Sequence, residues 1–261
     1  MTSTRDLAVA IVTQDDPFYI PAFLGPFLDN APRRGISTRL VVITSAFGES
    51  RWKLARRMCS FYGPAGFVKR TLAYASTLLL DRLGARPRRV ETMARAHDIP
   101  VRHVANVNDP ALIRDLEDLG LDVVLSVSAP QVFKKDLLSV PSWGCVNIHA
   151  AKLPKYRGMM PNFWTFYHGD PAAGLTVHVM DEALDRGKIL LQGDVEIRSD
   201  DTLHAIMIRS KVEAARIAID ALARVRDGTI EPKDPEGAGS YFSFPTREHV
   251  RELRRRGKRL L

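Results

Sequence analysis

The sequence predicts an α/β fold built on a doubly wound, mainly parallel sheet. Short continuous apolar runs of the kind that form buried parallel strands recur along the chain, and amphipathic helical segments separate them. The predicted strands cover residues 7–12, 39–44, 101–104, 122–127 and the run around 146–148. In such sheets the crossover connections are right-handed, and ligands bind beyond the carboxyl ends of the strands.

Between the predicted strands, the sequence contains signals for the start and the end of helices. The predicted helices cover residues 18–28, 87–97, 108–119 and 199–226. Asp109 followed by Pro110 is a strong start signal, whereas two prolines weaken the first helix. Residues 199–201, Ser-Asp-Asp, can cap the last helix, and Gly228 ends it.

Composition limits the classes of function. With 261 residues, 45% of them hydrophobic, the chain can bury a full core as one domain or one domain with an appendage. A formal charge of +8 favours anionic partners such as a nucleotide or nucleic acid, but charge alone does not choose among them. Two cysteines give no disulfide framework, so a cytoplasmic location is expected. We expect no membrane span, no signal peptide and, without a G-x-G-x-x-G after the first strand, no dinucleotide cofactor.

Three polar residues stand out as a candidate catalytic set. Asn147 and His149 lie two residues apart in an apolar strand, so their side chains leave the same face. Asp185 lies in a carboxylate-bearing loop that a glycine closes. A donor for a developing oxyanion, a proton acceptor and an orienting carboxylate are what acyl transfer requires.

The motifs around these residues carry a family resemblance. Asn-Ile-His at 147–149, Leu-Pro-Lys-Tyr-Arg-Gly at 153–158 and Leu-Asp-Arg-Gly at 184–187 occur in order, with the Asp 38 residues after the Asn. They resemble the catalytic core of the folate-dependent formyltransferases, which act on glycinamide ribonucleotide, methionyl-tRNA or nucleotide-linked sugars. The resemblance covers residues 100–210 well. It implies a Rossmann-like core and 10-formyltetrahydrofolate as cosubstrate, without a metal.

The resemblance also implies roles for individual residues. Asn147 would donate to the oxyanion, His149 would take the proton of the attacking amine, and Asp185 would orient His149. The residues expected to contact the pterin are Gln131, Val132, Phe133, Asp181 and Glu182, and those expected to contact the substrate are Lys155, Tyr156 and Arg157. His178 either approaches the site or only packs beneath it, and His168 is expected at the surface.

The expected organisation is a catalytic core at 1–198, interrupted by a basic and aromatic insertion at 46–86, and a C-terminal segment at 199–261. Within the insertion, apolar residues follow helical spacing: Phe67, Thr71, Tyr74, Leu78 and Leu79. This pattern favours a helix that packs on the domain or covers the substrate site. A helix that lies on a membrane surface or docks a partner is the alternative.

The C-terminal segment contains the long helix, a Pro/Gly-rich connector at 229–240, an aromatic segment at 241–244 and a basic tail at 247–261. The aromatic segment is a candidate contact for a homodimer. We expect the tail to be a solvated basic helix, with phosphate or nucleic-acid contact as the alternative.

The acceptor is inferred by elimination within the family. Only 74 residues follow Gly187, too few for the long helix and the β-barrel domain that methionyl-tRNA enzymes carry. Glycinamide ribonucleotide enzymes lack an equivalent of the 46–86 insertion. We therefore expect the primary amine of a nucleotide-linked amino sugar as acceptor, and we do not expect nucleic acid as a partner. Transfer to methionyl-tRNA or another small amine, hydrolysis of 10-formyltetrahydrofolate, and a non-enzymatic binding module are the alternatives.

Overall fold

The computed structural model describes residues 5–45, 50–84 and 89–261. The strands are β1 (Leu7–Gln14), β2 (Ile36–Thr44), β3 (Val101–Val104), β4 (Val123–Val127), β5 (Gly144–His149), β6 (Arg157–Gly158), β7 (Ala172–Val179), β8 (Ile189–Glu196) and β9 (Tyr241–Phe242). The helices are α1 (Ile20–Asn30), α2 (Arg51–Arg82), α3 (Val90–Ala96), α4 (Pro110–Asp118), α5 (Lys135–Leu138), α6 (Pro161–His168), α7 (Leu203–Arg226) and α8 (Arg247–Arg255).

The sheet confirms the predicted fold class. Seven strands pair in the order β3-β2-β1-β4-β5-β7-β8. Strands β1 to β5 run parallel, whereas β7 and β8 add an antiparallel edge. The strand order reverses between β1 and β4, and the carboxyl ends of parallel strands at such a switch point form a natural ligand crevice.

Alternating residues of the strands supply two cores. Val9 and Ile11 pack on the face covered by α1, α3 and α7, and Ala10 and Val12 pack on the face covered by α4 and α5. This explains why the strands appear as continuous apolar runs, since both faces are buried.

Several boundaries differ from the sequence expectation. Pro21 occupies the first turn of α1, where the missing N–H costs nothing, and the helix continues through Pro26 in its interior. Helix α7 is capped by Thr202, whose hydroxyl accepts a hydrogen bond from the amide of Ala205, and not by residues 199–201. Asp201 instead pairs with Arg209 inside the helix.

The insertion at 46–86 is largely one long element. Helix α2 spans 32 residues and is interrupted at Gly63, whose φ of 74° and ψ of 166° are not helical. Phe61 fixes the helix near this kink, because its buried ring packs against Phe163 and Phe244. Residues 46–49 and 85–86 of the insertion lie outside the described residues.

The C-terminal segment shares the core of the preceding residues. Ile206 and Leu222 of α7 are fully buried in the cluster that contains β1 and α1, so the core continues across the expected division at residue 198. The tail is also docked. Val250 and Leu253 are buried, and the backbone amide of Leu203 donates to the carbonyl of Arg259 at 2.9 Å. The expectation of a solvated tail is therefore wrong for its apolar side.

The aromatic segment at 241–244 packs within its own chain. β9 pairs with β6 in a small parallel sheet, and the Phe242 ring stacks on Trp164 at a centroid distance of 4.6 Å. The indole Nε1 of Trp164 donates to the carbonyl of Ser243. These contacts engage Phe242 and Ser243 inside the chain, whereas Tyr241 remains 58% exposed.

Candidate active site

Strands β5 and β7 bring four polar residues to one face of the sheet. Asn147 pairs with His178, and His149 pairs with Thr176, in the antiparallel ladder. Directly opposed residues project to the same side, so His178 joins the two residues predicted from the sequence. Of the two possibilities left open for His178, the structure supports an approach to the site.

Asp185 completes this cluster from the loop between β7 and β8. Its φ of 53° places it in the left-handed region, and its Oδ2 accepts a hydrogen bond of 2.9 Å from the amide of Gly158. The loop returns close to β7, because a Cβ on Gly187 would lie 1.8 Å from the carbonyl oxygen of Val179. The glycine of the Leu-Asp-Arg-Gly motif is therefore required by close backbone approach.

The carboxylate lies between the two imidazoles. Asp185 Oδ1 is 3.6 Å from Nδ1 of His149 and 3.8 Å from Nε2 of His178. Asn147 Nδ2 lies 3.1 Å from that same His178 nitrogen. His149, His178 and Asp185 are each under 10% exposed, so charges that develop among them are weakly screened by solvent.

The hydrogen bonds assign the protons on His178. Its Nδ1 lies 2.9 Å from the carbonyl of Val179, which can only accept, so Nδ1 carries the proton. Burial lowers the pKa of His178, which favours the neutral ring and leaves Nε2 as an acceptor. The amide nitrogen of Asn147 must then donate to Nε2. This contact uses one of the two amide protons and fixes the side-chain orientation.

The ring of His149 is oriented by a backbone group. Its Nε2 lies 2.8 Å from the carbonyl oxygen of Tyr156, so Nε2 donates and Nδ1 is the nitrogen that can accept a proton. Nδ1 faces Asp185, whose negative charge attracts the positive charge that a protonated ring would carry. Sequence analysis did not identify this role of the Tyr156 carbonyl.

The turn at 155–157 therefore reaches the site mainly through its backbone. The Tyr156 hydroxyl donates to Asp170, and its ring stacks on Phe242. Burial, followed by the neighbouring Asp170 carboxylate, raises the pKa of Tyr156 to about 12. Lys155 is exposed and Arg157 is half-buried. Of the three side chains expected to contact the substrate, that of Tyr156 is already used inside the protein.

The residues expected to contact the pterin differ in availability. Phe133 is 1% exposed and belongs to the second core, so a folate contact through its side chain does not fit. The amide of Gln131 donates to Thr44, Ser45 and Ala105, which ties together the loops after β2, β3 and β4. The expected residues with exposed side chains are Val132, Asp181 and Glu182.

A second polar cluster lies at the switch point and was missed by sequence analysis. Lys211 of α7 donates from Nζ to Ser128 Oγ at 2.6 Å, directly after β4. Burial lowers the pKa of Lys211 to about 8, and Asp16, which follows β1, opposes this shift. Burial also raises the pKa of Asp16. No sequence motif marks these residues, because three separate segments bring them together.

Backbone conformation is a further mark of the site. Non-glycine residues with positive φ are uncommon and often accompany functional sites. Three such residues lie in or next to the two polar clusters: Ser128, Tyr156 and Asp185, with φ between 53° and 56°. Within the described residues, no group of three His, Cys, Asp or Glu side chains could hold a metal ion.

Comparison with known proteins identifies the family of this chain. The sequence profile of the formyl transferase family matches residues 75–222. The methionyl-tRNA formyltransferase of Thermodesulfovibrio yellowstonii is 31% identical over 152 residues, which are 58% of this chain and 49% of that protein. The chain thus spans about half the length of the curated relatives that it matches.

Solved structures share the fold over more of the chain. A sugar N-formyltransferase from Shewanella sp FDAARGOS_354 is 18% identical with a TM-score of 0.60, over 95% of this chain and 87% of that one. The sugar 3N-formyl transferase WlaRD, solved in the presence of dTDP and 5-N-formyl-THF, is 15% identical with a TM-score of 0.57, over 92% and 70%. From the profile match over more than half of its residues, the chain belongs to the formyl transferase family.

Proposed function

We propose that this protein is an N-formyltransferase that moves a formyl group from 10-formyltetrahydrofolate to a primary amine. The observation that carries the proposal is the buried cluster of Asn147, His149, His178 and Asp185. It offers an amide donor, a basic ring nitrogen and a carboxylate within one small volume. Membership of the family supplies the expectation of the folate cosubstrate.

In the proposed reaction the amine nitrogen attacks the formyl carbon, and the carbonyl oxygen gains negative charge as the carbon becomes tetrahedral. Asn147 donates its second amide proton to this oxygen. The first proton is held by His178, so the amide is oriented before the substrate binds. A preorganised donor of this kind accelerates acyl transfer by a factor on the order of 10² to 10³.

Proton transfer follows from the environment of His149. The attacking nitrogen loses a proton to Nδ1, because Nε2 is occupied by its bond to the Tyr156 carbonyl. Asp185, 3.6 Å away, stabilises the imidazolium that results. When the tetrahedral species collapses, the bond from the formyl carbon to N10 of the folate breaks, and N10 takes a proton as tetrahydrofolate leaves.

For the acceptor we favour an amino sugar linked to a nucleotide. The structural likeness to the Shewanella sugar N-formyltransferase covers 95% of this chain and 87% of that one. WlaRD was solved with dTDP and a formylated folate together. In this chain, Lys211 lies at the switch point, where its Nζ binds Ser128 directly after β4. A cation at the carboxyl ends of the strands would attract an anionic group of such an acceptor.

Methionyl-tRNA is the second candidate acceptor. The specific observation in its favour is that sequence relatives at 31% to 34% identity are methionyl-tRNA formyltransferases. The matched residues contain the catalytic motifs, which serve every acceptor in the family and therefore do not choose among them.

The test is an acceptor panel. The purified protein is incubated with 10-formyltetrahydrofolate and, separately, with a set of nucleotide-linked amino sugars, methionyl-tRNA, glycinamide ribonucleotide or no amine. Mass spectrometry then detects the gain of one CO unit on the acceptor. We expect this gain on an amino-sugar nucleotide, at a kcat/KM of about 10⁴ M⁻¹s⁻¹ or above.

Different outcomes reject different parts of the proposal. Efficient formylation of methionyl-tRNA without reaction of any amino-sugar nucleotide would reject the acceptor and keep the chemistry. Rapid release of formate without any amine would indicate a hydrolase. Binding of folate without turnover on any acceptor, or with water, would reject the enzyme. Weak binding of tRNA is uninformative, since a basic protein binds phosphates without positioning an aminoacyl end.

A further inference from the structure

Helix α2 carries an apolar stripe on the side that faces away from the protein. Val68, Leu72, Leu79 and Leu83 at the C-terminal cap are separated by 4, 7 and 4 residues, so they share one side of the helix. Their exposed fractions are 56%, 65%, 58% and 70%. Of the large hydrophobic residues that are exposed in the described ranges, about half lie between residues 52 and 83.

A different side of the same helix faces the protein. Phe67 and Leu78 are half-buried there, and the Arg70 guanidinium lies 3.7 Å from the centre of the Phe18 ring. Of the five residues that sequence analysis placed on one packing stripe, Phe67 and Leu78 are half-buried, whereas Thr71 and Tyr74 are exposed and Leu79 belongs to the outward stripe. Intramolecular packing does not explain the outward stripe.

Cations line two clefts beside α2. A cleft of about 600 Å³ between the kink of α2 and the C-terminus is lined by Lys69, Arg254, Lys258 and Arg259. A second cleft of about 310 Å³ near the start of α2 is lined by Lys53, Arg56, Arg57 and Arg247. Neither lining contains an acidic residue.

The acidic residue of the α2 segment is directed elsewhere. Between residues 50 and 84 the sequence contains seven Lys or Arg residues and one acid, Asp81. The Asp81 carboxylate accepts hydrogen bonds from the hydroxyl of Thr92 and the amide of Arg89, at the start of α3. The α2 segment therefore combines exposed aliphatic side chains with an excess of positively charged residues.

We propose that the outward stripe of α2 and the flanking cations bind an anionic membrane surface, with the helix lying in the plane of the bilayer. Aliphatic side chains that enter the headgroup boundary, beside Lys and Arg that pair with anionic lipids, are typical of interfacial helices. Trp52, 86% exposed before the kink at Gly63, is of a residue type that is enriched at this boundary. Within the described residues, no helix has the length and apolar character to cross a bilayer.

Two other occupants fit the surface less well. Nucleic acid is bound by cations together with rings that stack on bases, whereas the stripe is aliphatic and would be left in water. A second copy of this chain would bring like charges together around the apolar contact. The family profile begins at residue 75, so most of α2 lies outside the matched residues. The proposal is therefore independent of the proposed formyl transfer.

Vesicle co-sedimentation tests this proposal. The full chain is mixed with vesicles of phosphatidylcholine alone or with 30 mol% phosphatidylglycerol. We expect binding to the anionic vesicles that weakens as salt rises. The double variant Leu72→Glu, Leu79→Glu should lower the partition coefficient at least about tenfold, since it removes two inserting side chains and adds negative charge. Lys69→Glu should reduce binding to the anionic vesicles alone.

Leu119→Glu is the matched control, because Leu119 is a 40% exposed leucine at the end of α4. It should bind as the wild type does, and circular dichroism should show equal helix content for all variants. Failure to bind anionic vesicles at low salt, or equal binding by the double variant, would overturn the proposal. It would also be overturned if light scattering showed that the wild type is an oligomer and the double variant a monomer. Displacement of the vesicles by duplex RNA would overturn it too, if RNA binding were lost in the same double variant.

Discussion

At the scale of single residues, the proton on Nδ1 of His178 fixes the orientation of the Asn147 amide. Because that proton bonds to the Val179 carbonyl, the other ring nitrogen accepts from the Asn147 amide. Without this contact the amide could rotate and present its oxygen, which repels an oxyanion. We therefore regard His178 as a positioning residue for Asn147.

This role predicts the kinetics of substitutions at His178. His178→Leu should lower kcat by at least about tenfold with little change in the KM for folate, because an orienting contact is lost and not a binding contact. His178→Gln should recover part of the rate, since its amide oxygen can accept from Asn147. In a double variant with Asn147→Ala, the loss at His178 should largely disappear. A full additional loss would show that His178 acts elsewhere.

A second prediction concerns Lys211 and stability against pH. Its folded-state pKa of about 8 lies below the ordinary lysine value of about 10.4. Between these values the unfolded chain binds more protons than the folded chain, so the contribution of Lys211 to the free energy of unfolding rises with pH from about 8 to about 10.4. Below pH 8 the penalty for burying the charged amine is fully present.

Denaturant unfolding at pH 7.5 and pH 9.5 measures this difference. The wild type should gain stability relative to Lys211→Met as the pH rises. The paired comparison cancels the titration of other groups that both proteins share. A constant difference between the two proteins at both pH values would mean that the amine is not buried in the folded state. Lys155 is exposed, so Lys155→Met is the control, and its stability relative to the wild type should not change with pH.

At the scale of elements, the C-terminal tail contributes to folding through its apolar side. Val250, Leu253 and Leu260 are buried, whereas the basic side chains face outward or bind backbone carbonyls, as Arg256 does with Tyr167. A helix whose basic residues dominate its composition thus still supplies a core contact.

Deletion of residues 247–261 should therefore lower the Tm. Burial of each of the three apolar side chains contributes about 1.5–3 kcal/mol as an upper estimate. For a chain of this size that corresponds to a fall on the order of 10 °C. Calorimetry measures it, with Arg247→Gln, Arg251→Gln as the charge control. If both the deletion and the charge variant had the Tm of the wild type, the tail would be only a solvated basic segment.

Element prediction succeeded where local signals were sufficient. Asp109 and Pro110 marked the start of α4, and the apolar runs located the strands of the parallel sheet. The cap of α7 was misplaced because Ser, Asp and Thr at consecutive positions all suit a cap, and only the backbone path selects Thr202. Gln131 and Phe133 have the types of side chain that bind a ligand, but tertiary contacts engage both inside the protein.

At the scale of the whole molecule, the site depends on contacts between distant segments. Gly158 holds Asp185 across 27 residues, and the amide of Tyr156 donates to Ser240 across 84 residues. The motifs in the sequence identify Asn147, His149 and Asp185 as a set. They contain no information on the carbonyl that orients His149, or on the lysine that α7 brings to the switch point.

The most direct test of the account measures formyl transfer by a folded His149→Ala variant. The assay follows the loss of 10-formyltetrahydrofolate and the gain of one CO unit on the acceptor identified by the panel, with the Tm of the variant as a check on folding. If Nδ1 of His149 takes the proton of the attacking amine, the variant should turn over at least about 100-fold more slowly than the wild type. Near-normal transfer by the folded variant would contradict the proposed site.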